Sequence, residues 1–196
     1  MSFAVRPIGL YKGMRWEYVG AGALASGTDT VTVNFPTTAQ AGDLAVFCGS
    51  VKYSGSPPSG WTLIASGSTQ QAYKVCAGGE TSTTFTSNIL SGVGQILLFR
   101  PSGGAASLYD GQTDNPTANR SMSAGASPSV IVAIGNNTGS VASWSPTLPG
   151  SWSVVQNRST SPALYVAWRL MEPGESTGTM YLGVNGRQTF GIWGIT

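Results

Sequence analysis

The amino-acid sequence predicts an all-β protein: an antiparallel, jelly-roll-like β-sandwich built from two internally repeated halves, about residues 42–100 and 127–196. Three observations carry this. First, landmarks of one half return in order in the other. Trp61, Tyr73, Gly79-Glu80-Thr81 and Gln95–Arg100 reappear as Trp152, Tyr165, Gly174-Glu175-Ser176 and Thr189–Ile195, with Glu80 and Glu175 95 residues apart. So long a period exceeds the roughly 20–50 residues of a solenoid unit and points to two related sheet-forming halves. Second, residues 28–35 alternate, with Val31, Val33 and Phe35 on one face and Thr30, Thr32 and Asn34 on the other. Third, apolar residues nowhere recur at helical spacing through three turns, so no long helix is expected.

Residues 1–20 lack a period of two and mix Arg6, Lys12, Arg15 and Glu17 with Tyr11, Trp16 and Tyr18. They are read as an N-terminal arm, 1–24, ahead of a single sandwich domain, 25–196. After the alternating strand, Pro36 ends the run because it cannot donate to a ladder. The continuously apolar run 44–51 follows the turn Ala41-Gly42-Asp43, as a central strand would, and its echo is 130–134. Gly/Ser/Pro-rich loops then deliver Trp61–Ile64 and Trp152–Val155. Strands at 71–75 and 82–86 flank Gly78-Gly79-Glu80, and their echoes at 164–169 and 178–182 flank Pro173-Gly174-Glu175. Each half closes on an apolar run, 95–100 and 190–195. Between them, Ser107–Asp110 offers a strand that crosses from sheet to sheet. The loops are too short for parallel crossovers of a dozen or more residues, so the sheets should be antiparallel. One sandwich of two interleaved halves is favoured over two separate domains, because no linker divides them.

Composition excludes several functions. Charged residues are only 9% of the chain, against about 25% in an ordinary domain. Ten Lys and Arg against eight Asp and Glu give +2 without a basic cluster, too weak a field for nucleic acid. A surface so poor in ions should keep its contacts over a wide salt range. No membrane span or signal-peptide-like stretch is recognised, so synthesis in the cytosol is expected. Cys48 and Cys76 lie in apolar runs and read as buried reduced thiols. The three Asn-X-Ser/Thr sequons are chance matches in that setting.

With no histidine in the chain, the Ser-His-Asp triad, the Cys-His pair and most zinc sites are removed, and no enzyme activity or cofactor is expected. Glu80 and Glu175 follow glycine in hairpin loops and read as turn carboxylates rather than a glycosidase pair. Asp110, Asp114 and Asn115 supply hard oxygen ligands but lack the spacing of a calcium loop, and read as a polar loop. Among the aromatics, Trp144 stands between Ser143 and Ser145 and is the candidate for stacking a sugar ring. The arm is the candidate for protein contact: Arg6, Lys12 and Arg15 against Glu17 supply the net charge, and Tyr11, Trp16 and Tyr18 are anchors of the kinds enriched at interfaces. Its competing reading is an edge strand folded onto its own sandwich.

The string Gln40-Ala41-Gly42-Asp43-Leu44-Ala45-Val46-Phe47, followed by Pro58-Ser59-Gly60-Trp61-Thr62-Leu63-Ile64 and Tyr73-Lys74-Val75, resembles small β-sandwich virion-associated proteins of tailed bacteriophages. The resemblance covers about 28–100, and the echo extends it to the C-terminus. It implies a non-enzymatic virion component that carries no catalytic residue. The expected role is a capsid decoration (cement) protein, its arm bound to the major capsid protein and its copies associated with one another, a trimer at local threefolds being the natural arrangement. Removing residues 1–19 is expected to leave a folded protein that no longer binds. The alternative role is a tail-fibre adhesion module that binds host glycan through Trp144.

Overall fold

The computed structural model describes residues 13–52, 57–64, 69–86, 91–114, 119–137, 139–141, 143–183 and 186–196. Among these the protein is all-β, with no helix. The strands are β1 (Arg15–Ala21), β2 (Ala25–Gly27), β3 (Thr30–Asn34), β4 (Leu44–Lys52), β5 (Thr62–Leu63), β6 (Thr69–Val75), β7 (Ser82–Thr86), β8 (Gly92–Ser102), β9 (Ala106–Asp114), β10 (Ser129–Asn137), β11 (Ser153–Arg158), β12 (Ala163–Met171) and β13 (Arg187–Ile195). All pairings between them are antiparallel.

A six-stranded sheet runs β1-β8-β4-β6-β5, with β2 also on β8; a five-stranded sheet runs β11-β12-β10-β13-β9; and β3 pairs with β7 alone. Every strand of the first comes from residues 15–102 and every strand of the second from 106–195. The expected interleaving therefore does not occur: residues 15–102 supply the first sheet and residues 106–195 the second, wider bounds than 42–100 and 127–196, and the chain passes from one to the other at residues 103–105. Such short turns favour neighbouring strands of one half over exchange between sheets.

Side-chain alternation sorts three cores. Leu44, Val46, Cys48, Leu97 and Phe99 of one sheet face Val130, Val132, Ile134, Val166 and Trp193 of the other, filling the space between the sheets. The opposite face of the six-stranded sheet presents Ala45, Phe47, Ala72, Ile96 and Leu98 to Val31, Val33 and Phe85 of the β3–β7 ribbon. Phe47 stacks on Phe85 with centroids 3.6 Å apart and 14° between planes, worth about 0.5–1.5 kcal/mol beyond its buried area. Its ring needs Gly49 and Gly94, where an added Cβ would lie 2.6 and 2.5 Å from it. The outer face of the five-stranded sheet carries Ile131, Ala133, Tyr165, Phe190 and Ile192 under Met122, Ala124, Trp144 and Met180.

The expected strand at 178–182 forms only the isolated bridges Arg120↔Met180 and Thr147↔Tyr181. Gly178 (φ +66°) and Gly183 (φ +75°) turn the backbone out of the extended region at both ends.

The expected arm is, from Arg15 onward, β1 at the edge of the larger sheet. A bulge leaves Val19 unpaired between Tyr18↔Phe99 and Gly20↔Leu98. Trp16, Tyr18 and Ala21 consequently point to the inter-sheet core while Val19 joins the outer one, and this phase change is why no period of two is visible there.

Candidate functional site

The string Gln40–Phe47 folds around Asp43. Gly42, at φ +88°, makes the turn, and the Asp43 side chain is 1% exposed. Arg100 donates from Nε to Oδ1 at 2.8 Å and from Nη2 to Oδ2 at 2.9 Å, and the Gln40 N–H donates to Oδ2 at 2.8 Å. Asp43 also closes the backbone ring in which its carbonyl accepts from Cys76 N–H at 2.8 Å. Burial of a carboxylate is tolerated because a bidentate guanidinium meets it. The motif thus ties β4 to β8 and to the end of β6.

Glu80 and Glu175 have matching local tasks. Glu80 Oε1 meets Lys74 Nζ at 2.8 Å, and its carboxylate accepts from Ala77 and Gly78 N–H, each at 2.9 Å. Partial burial alone would raise its pKa, but the bonds from Lys74 and these amides hold it down at about 2. Glu175 Oε1 meets Arg169 Nη2 at 3.0 Å and Oε2 accepts from Glu172 N–H at 2.9 Å. Both carboxylates close the loop between neighbouring segments.

Of the residues expected to contact a partner, Arg6, Tyr11 and Lys12 lie outside the described residues. Arg15 is exposed on β1. Trp16 is not: it is 6% exposed, and its indole N–H donates to Pro128 O at 2.9 Å. Tyr18 is half-buried and stacks on Trp168 at 4.5 Å, and burial raises its phenol pKa. Neither ring is available as an interface anchor, because the sheet pairing of β1 turns both inward. Met14, Arg15, Trp16, Pro128, Leu170 and Glu172 line a surface cleft of about 180 Å³ where β1 meets the start of β10.

Trp144 does not form a stacking platform. It is 8% exposed, its Nε1 donates to Arg158 O at 2.9 Å, and its ring fills the space over Gly135, where an added Cβ would come within 2.7 Å. Flanking serines gave it an exposed look, but the gap it fills is made by a glycine nine residues away in sequence.

Cys48 and Cys76 are free and buried. Burial pushes both thiols up, Cys76 to about 12, so neither is a ready nucleophile. Asp110 accepts from Gln112 Nε2 at 2.7 Å, the Asp114 side chain and Asn115 lie outside what is described, and among the described residues no three His, Cys, Asp or Glu gather as a metal would require. Sequence reading missed Gln71, 1% exposed. Its amide bonds Gly49 N–H and C=O, replacing ladder rungs where β4 and β6 lose register between Cys48 and Lys52. Nothing local marks it.

The class defined by these observations is an all-β protein of two large antiparallel sheets packed face to face, with the β3–β7 ribbon on the outer face of one, whose ion pairs serve turns and strand ends. No model of a known protein family, no curated protein and no solved structure matches the chain.

Proposed function

We propose that this protein is a structural component of a tailed-bacteriophage virion, a capsid decoration protein that binds the major capsid protein, associates with copies of itself, as a trimer at local threefolds, and stabilises the assembled head. The observation that carries the reading is the fold of the resembling string: Asp43, the only charged residue of its segment Gln40–Phe47, is spent on Arg100 and on the Gln40 N–H. That supports a scaffold motif rather than a catalytic one. Binding only the assembled shell would stabilise it by mass action.

Partner contact on this reading falls to residues 1–12, with Arg6, Tyr11 and Lys12, and to exposed Arg15. Truncation must stop short of β1, because removing 1–19 would take Trp16 and Tyr18 out of the core. A chain lacking residues 1–12 is expected to unfold at the same temperature as the intact protein and to lose co-sedimentation with capsids. Unimpaired co-sedimentation would refute the arm; failure of the intact protein to bind capsids would refute decoration.

We also read the halves as an internal repeat within a jelly-roll-like sandwich. Strand for strand, β5-β6-β4-β8-β1 corresponds to β11-β12-β10-β13-β9. Both edge strands carry a bulge at the same rung: Val19 is skipped beyond Tyr18↔Phe99, and Tyr109 beyond Leu108↔Trp193. The ion pairs Lys74–Glu80 and Arg169–Glu175 also correspond.

A further inference from the structure

The contacts between the sheets are reciprocal. Val46 pairs with Tyr73 and Leu97, as Val132 pairs with Trp168 and Gly191; Leu44 pairs with Val75 and Phe99, as Val130 pairs with Leu170 and Trp193. These rungs make Tyr73 the counterpart of Trp168, not of the Tyr165 to which the order of landmarks in the sequence matched it, and Phe99 the counterpart of Trp193. Across the inter-sheet space, Tyr73 meets Trp193 edge to face with centroids 5.7 Å apart and 66° between planes. Phe99 meets Trp168 at 5.5 Å and 75°. Each contact is the other with the halves exchanged. That reciprocity, residue i on j′ and j on i′, defines an isologous interface.

The edges agree. Ile64, just after β5, packs so closely on Gly111 of β9 that an added Cβ would fall 2.2 Å from its carbonyl oxygen. At the opposite edge, β1 reaches Pro128 through Trp16 and Trp168 through Tyr18. One sheet's order therefore runs reversed over the other's, as a twofold axis along the strands requires. Ser50 Oγ and the Asn136 amide, both buried without a hydrogen-bond partner among the described residues, stand on corresponding rungs, opposite Val93 and Arg187.

We infer that the halves dock about an internal pseudo-twofold and that their inner faces are interchangeable: the partner each face fits is a copy of itself, supplied here by the other half. This rests on the repeat proposed above and adds its mode of docking; it does not depend on the virion role.

The test exchanges the aromatics in the full chain. Tyr73→Trp with Phe99→Trp sets tryptophan against tryptophan at both contacts and overpacks them; Trp168→Tyr with Trp193→Phe leaves both underfilled. All four together restore one tryptophan per contact with the sides reversed. The fourfold variant is expected to melt above both one-sided variants, or to fold where they do not. A fourfold variant that melts at or below the less stable one-sided variant would overturn the inference. If none of the three folds, double-mutant cycles with the milder Tyr73→Leu/Trp193→Leu and Phe99→Leu/Trp168→Leu decide it. Coupling equal within a factor of two is expected, and a larger disparity refutes the pseudo-twofold. An experimental structure in which the two sheets lose their common strand order would sink the repeat itself; additive losses with that order intact would sink only the docking.

Discussion

Removing Arg100 should harm this protein more than neutralising Asp43, although the two form one ion pair. Arg100→Leu leaves a carboxylate that is 1% exposed with, among the described residues, only the Gln40 N–H to compensate it. An uncompensated buried charge costs about 3–5 kcal/mol. Asp43→Asn retains an oxygen for the Gln40 amide and leaves a guanidinium that is 28% exposed and able to rehydrate. That loss is about 1.5–3 kcal/mol, the scale of a hydrogen bond to a charged group. For a chain of this size each kcal/mol moves Tm by about 2–4 °C, so drops of about 6–20 °C and about 3–12 °C are expected. Urea titrations of both variants give the same comparison as midpoints, with m unchanged if the native state stays compact. The reverse order, or two losses below about 0.5 kcal/mol on the scale of ordinary surface substitutions, would refute the assignment of Asp43 as a buried structural carboxylate.

Two further outcomes follow from the same contacts. Glu80, held at about 2 by Lys74 and two amides against the opposing effect of partial burial, contributes stability that is complete above its unfolded value of about 4.3 and lost as pH falls toward 2. Glu80→Gln should therefore lower stability at pH 7 by about 1–2 kcal/mol and flatten the acid limb between about pH 5 and 2.5; an unchanged acid limb would contradict the ion pair. Trp144→Ala should cost about 3–5 kcal/mol, as truncation of a buried aromatic does. A Tm within about 3 °C of the parent would show instead that the ring is dispensable to the core.

How much of this was legible depends on the range over which each feature is encoded. β7 is legible to the residue and β4 nearly so, because alternation and apolar continuity are local. β1 was hidden because its bulge at Val19 moves Tyr18 and Ala21 out of simple alternation, so that aromatic residues destined for the core looked like an exposed arm. The expected strand at 178–182 had the right composition but glycines with positive φ near both ends. The burial of Trp144 is not legible locally, because it is decided by Gly135 beneath it. The role of Asp43 was likewise out of reach, since Arg100 lies 57 residues downstream. Glu80 and Glu175 are legible as turn carboxylates, but the basic partners that neutralise them sit on the preceding strand in each half.

The proposed role in the virion is tested most directly by counting this chain in purified particles by quantitative mass spectrometry. A decoration protein is expected at a copy number comparable to that of the major capsid protein. A handful of copies per particle would place it in the tail, and its absence from particles would contradict the virion role altogether.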